Sequence, residues 1–356
     1  MLLSSQPDRR PSRRVIVGGV PIGDGAPVTV QSMTNASSHD AEAVLDQVRL
    51  LAFRGAEIVR VAVPDRAAAA ALRSVVEGSP VPIVADIHFD PELAMLSLDA
   101  GVQKLRLNPG NIRDPGRIRG IAEKAAVLGV PIRIGVNSGS VPGDLRDQYG
   151  GVNEDSMWVA AQRHIRLLEE TGFRDIVLSL KASDPMLTVS ANRKAAKECD
   201  LPLHLGVTEA GPPVTGGIRS AVALSLLLAG GIGDTVRVSL SGPPEIEPAA
   251  AWEILSSLGI RRKFPRVVSC PTCARSRIDV GGIAAVVQEH LAGRTGDMTI
   301  AVMGCEVNGP GEAREADIAL IGTPAGVMLF VGGVNRGASC EGDLLTALDE
   351  ALDSLV

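Results

Sequence analysis

Aromatic side chains are scarce in this chain of 356 residues, since Trp, Tyr and Phe together make up 2% of it. The core must therefore be filled mainly by aliphatic residues and Ala. The hydrophobic fraction of 45% and the 39 glycines are typical of an α/β protein. The length exceeds that of one ordinary domain and allows a sizeable core to be buried. We therefore expect two domains.

The sequence also lacks an excess of basic charge, long apolar runs and an export signal. The formal net charge of −6 argues against a general attraction to nucleic acid or to an anionic membrane. No apolar run reaches the roughly 18 residues needed to cross a bilayer. The opening residues, MLLSSQPDRRPSRR, lack the apolar region of a secretory signal, and we interpret them as a short solvated tail. We expect a cytoplasmic protein in which any anion site is built locally.

Cysteine occurs five times, an odd number, in a chain without an export signal. Such usage argues for reduced thiols rather than a disulfide framework, and it leaves metal or redox chemistry open. Cys270 and Cys273 lie in SCPTCAR, and Cys305 lies in MGCEVNGPGEA. The other two, Cys199 and Cys340, are interpreted as spare thiols.

Eight strand-like apolar runs recur over the first 240 residues, each followed by a helical stretch rich in Ala and Leu. They cover residues 27–33, 58–63, 82–87, 104–109, 131–137, 175–182, 202–208 and 235–240. A strand and a crossover helix repeated eight times over about 250 residues predict a TIM (β/α)8 barrel, here spanning residues 1–260. A doubly wound open sheet is the alternative.

Polar side chains recur on one face of these strands. Because side chains alternate between the two faces of a strand and the outer face of a barrel carries helices, the polar set points inward. Its cations are Lys104 and a group of five, Arg60, Arg106, Arg133, Lys181 and Arg237. Nearby carboxylates are too few to neutralise the five, and unpaired buried charge costs several kcal/mol. We therefore expect a phosphate or diphosphate ester to bind at the carboxyl ends of the strands.

Other residues of this region keep two interpretations each. Asp86 and His88 would do acid–base work or would only orient the arginines. Glu209, in HLGVTEAG, would donate a proton if desolvation raised its pKa, or would be an ordinary exposed loop residue. His204 is expected to be packed in the barrel wall. Contact with substrate, or capping of the following loops, is expected for Asn108, Asn137, Ser239 and Ser241.

The composition changes near residue 260, and residues 261–356 predict a smaller α+β domain. The CxxC motif places two thiolates on one turn, and Cys305 follows a different strand. A redox dithiol and a structural zinc site closed by Cys340 are alternative interpretations. The turn in NGPGE can bring Glu312 back toward the thiols. Three thiolates and one carboxylate suit an iron–sulfur cluster better than a structural zinc ion.

Several motifs together resemble the IspG/GcpE family, the 4-hydroxy-3-methylbut-2-enyl diphosphate synthases of the methylerythritol phosphate route to isoprenoids. The resemblance covers residues 14–330 and rests on VQSMTN, ADIHFD, KLRLNPGNI, HLGVTEAG, GIGDTVRVSL, SCPTCAR and NGPGEAREADI. It implies an oxidoreductase that opens and dehydrates 2-C-methyl-D-erythritol 2,4-cyclodiphosphate with two electrons from flavodoxin or ferredoxin. It also implies a homodimer in which the cluster domain of one subunit closes over the barrel of the other.

The resemblance further implies residue roles. A 4Fe–4S cluster would be held by Cys270, Cys273, Cys305 and Glu312, with Asn308 beside it and Glu209 as the acid. The diphosphate would contact Arg60, Arg106, Arg133 and Lys181, and the pocket would be completed by Asp86, His88, Asn108, Asn137, Arg237, Ser239 and Ser241. Gly242 stands where the family often has Asp. The competing classes are a phosphate-ester or pterin-binding barrel transferase with a structural zinc domain, and a non-catalytic electron carrier.

Overall fold

The structure is a computed structural model that describes residues 8–88, 90–107, 115–339 and 343–355. The chain divides into two compact units, the first ending at Arg261 and the second beginning at Arg262. The first unit contains a barrel of parallel strands, and the second contains a mixed sheet with helices.

Eight parallel strands form the barrel. They are β3 (Thr29–Met33), β4 (Ile58–Ala62), β5 (Ile83–Ile87), β6 (Lys104–Leu107), β7 (Ile132–Asn137), β8 (Ile176–Lys181), β9 (His204–Leu205) and β10 (Thr235–Val236). The order in the sheet is β8-β7-β6-β5-β4-β3-β10-β9, and a parallel bridge between Leu178 and Leu203 joins its two ends. The predicted barrel is confirmed, and the open sheet is excluded. The strands predicted over 202–208 and 235–240 are much shorter, since only two residues of each enter the ladder.

Helices surround the barrel and fix the ends of its loops. They are α1 (Ala41–Phe53), α2 (Arg66–Gly78), α3 (Pro91–Asp99), α4 (Pro115–Leu128), α5 (Gly143–Tyr149), α6 (Glu154–Glu169), α7 (Pro185–Glu198), α8 (Pro213–Leu228) and α9 (Ile246–Ser257). Four of them begin after an aspartate whose carboxylate accepts a first-turn N–H, namely Asp40, Asp65, Asp90 and Asp184. These caps bind first-turn backbone N–H groups that have no acceptor within the helix, and they set where each strand-to-helix loop ends.

The alternation predicted for the strands is present. Leu105, Leu107 and Ile132 point outward and are fully buried beneath helices. Arg106 and Arg133 point inward from β6 and β7 and are directly paired in the ladder. The strand period therefore delivers polar side chains to the barrel interior.

An N-terminal hairpin covers the amino-terminal end of the barrel interior. Its strands are β1 (Val15–Val17) and β2 (Val20–Ile22), and Val17 and Ile22 pack on Ile58 and Val84 at the starts of β4 and β5. The hairpin was not predicted from the sequence.

The residues before the hairpin bind to the same end of the barrel. Arg9 donates to Asp234 Oδ1 at 2.9 Å and to the Gly233 carbonyl at 3.0 Å. The Arg13 N–H donates to the Asp200 carbonyl at 2.7 Å. The prediction of a solvated tail is therefore wrong for residues 8–14, because their guanidinium groups and backbone are used to hold the loops before β9 and β10.

The second unit is a five-stranded sheet flanked by helices. The strands are β11 (Arg266–Ser269), β12 (Thr299–Met303), β13 (Ile318–Thr323), β14 (Gly326–Val331) and β15 (Val334–Ser339), and the helices are α10 (Val280–His290), α11 (Gly309–Glu312) and α12 (Leu344–Asp353). β11 to β13 are parallel, and β14 and β15 add antiparallel strands. The core joins Val287, Ile300, Leu320 and Leu348. In the described ranges of both units, no helix is both long and apolar enough to cross a bilayer.

Candidate active site

A layer of cations lies inside the barrel near the carboxyl ends of its strands. Arg60, Arg106 and Lys181 come from β4, β6 and β8, and the side chains of the first two are 13% and 6% exposed. Arg133 comes from β7 and is 1% exposed. Arg237 follows β10. The parallel ladder sets this arrangement. Arg106 on β6 pairs with Arg133 on β7, and four residues further along β7, Asn137 pairs with Lys181 on β8.

Asp86 is the counter-ion for two of these cations. Its Oδ1 accepts from Arg106 Nη1 at 3.0 Å, and its Oδ2 lies 3.6 Å from Arg60 Nε. Burial acts to raise the pKa of Asp86, but Arg60, His88 and Arg106 outweigh it and hold the pKa well below its usual range. Asp86 is therefore ionised at any physiological pH. Burial lowers the pKa of Arg60 to about 10, and Asp86 offsets part of that effect.

Glu247 is a second counter-ion, and the sequence analysis missed it. Its two carboxylate oxygens accept from Arg237 Nε and Nη2 at 3.1 and 3.2 Å. It also accepts from Ser32 Oγ at 3.2 Å and from the Leu240 N–H at 3.1 Å. Arg237 therefore has a carboxylate partner, although the five cations together still outnumber Asp86 and Glu247. The available signal was Glu247 in the first turn of α9, IEPAAAWEILSS, which is followed by a mainly apolar stretch.

Arg133 and Lys181 have no counter-ion among the described residues. Arg133 Nη1 donates to Ser179 Oγ at 2.6 Å, whereas its Nε and Nη2 have no partner in the described residues. No acceptor within hydrogen-bonding distance of Lys181 Nζ is found among them either. Burial, followed by the charge of neighbouring arginines, lowers the pKa of both groups well below the usual values. If all six basic side chains, Lys104 included, are counted as ionised, they face two carboxylates among the described residues, a formal excess of four positive charges.

Two glycines, which lack a Cβ, leave room for the side chains of Arg106 and Lys181. A Cβ on Gly135 would lie 3.1 Å from Arg106 Nε. A Cβ on Gly206 would lie 2.7 Å from Lys181 Nζ and 2.5 Å from the Arg237 carbonyl oxygen. A side chain at either position would compete with a cation for the same volume.

Glu209 lies at the barrel rim in a strained conformation. It is exposed, and its φ of +54° is unusual for a residue that is not glycine. Such a conformation costs on the order of 1–3 kcal/mol and is retained where the surroundings impose it, often at functional sites. The exposure matches the loop alternative, whereas the positive φ is a feature often found at functional sites.

The other predicted residues are distributed around this layer. His88 Nε2 is 2.7 Å from Arg106 Nη1 and 3.5 Å from Asp86 Oδ2, which supports an orienting role. The Asn137 N–H donates to Ser140 Oγ at 3.1 Å at the start of the 3-10 turn Ser138–Ser140. Ser239 is half-buried and Ser241 is exposed. Asn108 lies outside the described residues. His204 is fully buried, as expected.

Three thiols and Glu312 line one cavity in the second unit. Cys270 follows β11 and Cys305 follows β12, and these strands are parallel neighbours, so their carboxyl ends meet. The short helix α11 then returns the chain and presents Glu312. The cavity has a volume of about 220 Å³ and is also lined by Cys273, Asn308 and Arg275.

The backbone around this cavity is suited to thiolates. The Gly304 N–H donates to Cys270 Sγ at 3.2 Å. The N–H groups of Asn308 and Val307, with Arg275, lower the pKa of the Cys305 thiol below its usual value. A thiolate is the form that binds metal. In the part of the chain that the structure describes, no three His, Cys, Asp or Glu side chains converge on one metal ion. Cys270, Cys273, Cys305 and Glu312 line one common cavity.

Of the two cysteines interpreted as spare thiols, Cys199 does not line this cavity. Cys199 lies in the barrel unit, where its Sγ donates to the Ala195 carbonyl at 3.3 Å and burial raises its pKa. Cys340 lies outside the described residues.

Comparison with known families gives matches to both units. Residues 12–252 match the GcpE TIM-barrel domain, and residues 266–354 match the GcpE protein C-terminal domain.

Named relatives span nearly the whole chain. The 4-hydroxy-3-methylbut-2-en-1-yl diphosphate synthase (flavodoxin) of Geobacter sulfurreducens is 48% identical over 97% of this chain and 98% of its own. The protein of the same name from Lawsonia intracellularis is 44% identical over 98% and 97%. Among solved structures, dihydropteroate synthase from Stenotrophomonas maltophilia matches with a TM-score of 0.50 and 16% identity, covering 70% of this chain and 98% of its own. That likeness shows the barrel fold alone.

Proposed function

The chain belongs to the GcpE family, and on that premise we propose that it converts 2-C-methyl-D-erythritol 2,4-cyclodiphosphate into 4-hydroxy-3-methylbut-2-enyl diphosphate. The observation that carries the proposal is the combination, in one chain, of buried cations without counter-ions and a cavity lined by three thiols and a carboxylate. A pterin-binding transferase shares only the barrel fold with this chain.

The barrel cations would hold the diphosphate of the substrate. Arg133 Nε and Nη2 and Arg106 Nε are buried donors with no partner in the described ranges, and Lys181 adds an ammonium group. A guanidinium presents paired donors that match phosphate oxygens. Asp86 and Glu247 hold Arg60, Arg106 and Arg237 in place. The diphosphate therefore stays anchored while bonds change elsewhere in the substrate.

The second unit would hold a 4Fe–4S cluster through Cys270, Cys273, Cys305 and Glu312. When bound, the cluster supplies electrons one at a time. Glu312 would supply the one oxygen ligand in a set otherwise made of thiolates. Asn308 lines the same cavity and donates its backbone N–H toward Cys305.

The reaction consumes two electrons and one proton. Only one proton is needed because the phosphate oxygen that separates from carbon stays ionised. The ring C–O bond opens, and the neighbouring hydroxyl leaves as water. Glu209, held at the rim with a positive φ, would deliver the proton to that hydroxyl. Arg106 and His88 would keep the ionised phosphate oxygen bound as the ring opens.

Flavodoxin is the proposed electron donor, because the relatives carry that donor in their names. The active form is proposed to be a homodimer whose active site combines the barrel of one subunit with the cluster unit of its partner.

The test starts with iron, acid-labile sulfide and zinc in anaerobically purified protein. We expect four iron and four sulfide per chain, as in one 4Fe–4S cluster, and turnover of the cyclodiphosphate with a reduced flavodoxin. One zinc per chain without sulfide would overturn the proposal, since the thiols would then be structural.

Glu209→Gln tests the proton donor separately. The variant keeps the shape of the side chain but cannot donate as an acid, so we expect substrate binding to persist and turnover to fall by roughly 100-fold or more. Glu198→Gln, an exposed residue at the end of α7, is the matched control. Unchanged turnover in Glu209→Gln would remove this role.

A further inference from the structure

A second polar layer lies in the barrel interior, closer to the amino-terminal end than the cation layer. It consists of Gln31, Lys104, His204 and Thr235, from β3, β6, β9 and β10, and none of the four is more than 1% exposed. Lys104 precedes Arg106 by two residues, and Thr235 likewise precedes Arg237. Each therefore shares the face of its cation and lies about 7 Å deeper along the strand. The layer lies directly beneath the anion site.

Most side-chain polar atoms of this layer have no hydrogen-bond partner in the part of the chain that the structure describes. Lys104 Nζ donates to Gln31 Oε1 at 3.2 Å, which is its one hydrogen bond within the described ranges. Gln31 Nε2, both ring nitrogens of His204 and Thr235 Oγ1 have none there. Buried polar groups in native proteins bond to protein or to ordered water, and water occupies polar sites with several partners. The layer therefore has the donors and acceptors needed to hold water.

Lys104 experiences the positive charge of the layer above it. Burial lowers its pKa well below the usual value, and Arg133 and Arg60 lower the pKa further. Burial, Lys181 and Arg133 act on His204 in the same direction. The layer has no carboxylate of its own. The charged groups around it are Arg60 on β4, Asp86 on β5, Arg106 on β6, Arg133 on β7, Lys181 on β8, Arg237 after β10 and Glu247 on α9. The two carboxylates in this set, Asp86 and Glu247, are already paired with arginines.

We propose that Gln31, Lys104, His204 and Thr235 hold water beneath the anion site and that Lys104 takes up a proton when a diphosphate binds above it. The inference rests on the proposed function, because it requires the barrel to bind a diphosphate. The negative charge of the ligand, next to Arg133 and Lys181, offsets the repulsion that keeps a proton off Lys104. The proton comes from solvent. The free protein thereby avoids one further buried charge, and the complex gains one where an anion is present to balance it.

Calorimetric titration of the full-length, anaerobically purified protein with inorganic pyrophosphate tests this inference. Titrations at one mildly alkaline pH, in buffers with different ionisation enthalpies, give the number of protons exchanged per ligand bound. We expect the wild type to take up more protons than Lys104→Met, by as much as one. The ionisation of pyrophosphate itself is common to both proteins and cancels in the difference.

A second variant distinguishes the effect of a positive charge at position 104 from the effect of proton uptake there. Lys104→Arg carries a charge that does not titrate, so it should lose the proton uptake while it retains most of the affinity, whereas Lys104→Met should also bind pyrophosphate roughly tenfold more weakly. Lys124→Met, which removes a surface lysine paired with Asp99, is the control and should change neither quantity. A melting curve of each variant verifies folding. Lys104→Arg suffices for the proton count if Lys104→Met does not fold.

The outcomes distinguish this inference from the proposed function. Equal proton counts in the wild type and in a folded Lys104 variant would refute the inference and leave diphosphate binding intact. Failure of pyrophosphate to bind the wild type would overturn both.

Discussion

Asp86→Asn removes the carboxylate shared by Arg60 and Arg106. Those guanidinium groups lie 3.6 and 3.0 Å from Asp86, whose side chain is 4% exposed. Removing one partner of a buried ion pair costs about 3–5 kcal/mol, because the remaining charge is left uncompensated. At about 2–4 °C per kcal/mol for a unit of this size, the Tm of the barrel should fall by about 10 °C. The pKa of Asp86 is held low, so the effect persists at every pH above the strongly acidic range.

Pyrophosphate should restore much of the stability that Asp86→Asn loses. Asp86→Asn makes the layer more positive, so pyrophosphate should bind the variant roughly tenfold more tightly than the wild type. A ligand at 100 times its Kd adds about 2.7 kcal/mol of stability, and tighter binding adds more at the same concentration. The difference in Tm between wild type and variant should therefore shrink as pyrophosphate is added.

Differential scanning fluorimetry across a pyrophosphate series measures both effects. Asp99→Asn is the control, because that exposed carboxylate pairs with Lys124 on the surface, where ion pairs contribute at most about 1 kcal/mol. A variant that melts within about 1 °C of the wild type without ligand would refute the counter-ion role, given the expected loss. A Tm difference that widens with pyrophosphate would refute the anion site.

Two further predictions concern the pH dependence of stability and the free volume beside Lys181. Burial lowers the pKa of His164 to about 4, so the unfolded chain takes up this proton first as the pH falls. The free energy of unfolding should therefore drop by about 3 kcal/mol between about pH 6.5 and pH 4, and urea unfolding of His164→Gln should show a flatter dependence. Gly206→Ala places a Cβ against Lys181 Nζ and the Arg237 carbonyl, so pyrophosphate affinity and Tm should both fall, by about 1–3 kcal/mol in stability. Gly217→Ala, within α8 and with nothing near its Cβ, should leave affinity unchanged and raise Tm slightly.

The barrel could be predicted from the sequence because its signal repeats. Eight apolar runs with crossover helices leave few topologies, and the strand period alone placed Arg106 and Arg133 inside. The hairpin of β1 and β2 could not be predicted in this way, because three-residue strands carry too little pattern. The same limit applies to β9 and β10, whose ladder is shorter than their apolar runs.

A residue of the candidate site could be predicted where it lies on a barrel strand, because the strand period also gives the direction of its side chain. Glu247 was missed because its carboxylate reaches the barrel from a helix, and no strand period describes that approach. The thiols were found because the CxxC spacing is local. The return of Glu312 to the same cavity depends on how α11 turns after Cys305, so from the residues alone it was a possibility rather than a deduction.

The two carboxylates divide the barrel cations into two groups with different tasks. Asp86 and Glu247 compensate Arg60, Arg106 and Arg237 in the free protein, which lets a charged interior fold without a ligand. Arg133 and Lys181 have no carboxylate partner among the described residues, so keeping them charged carries a cost, and burial lowers the pKa of both groups. That cost is recovered only when an anion arrives, so it appears as affinity for the diphosphate rather than as stability of the free chain. A further carboxylate near Arg133 would therefore stabilise the free barrel and weaken the binding for which these cations are placed.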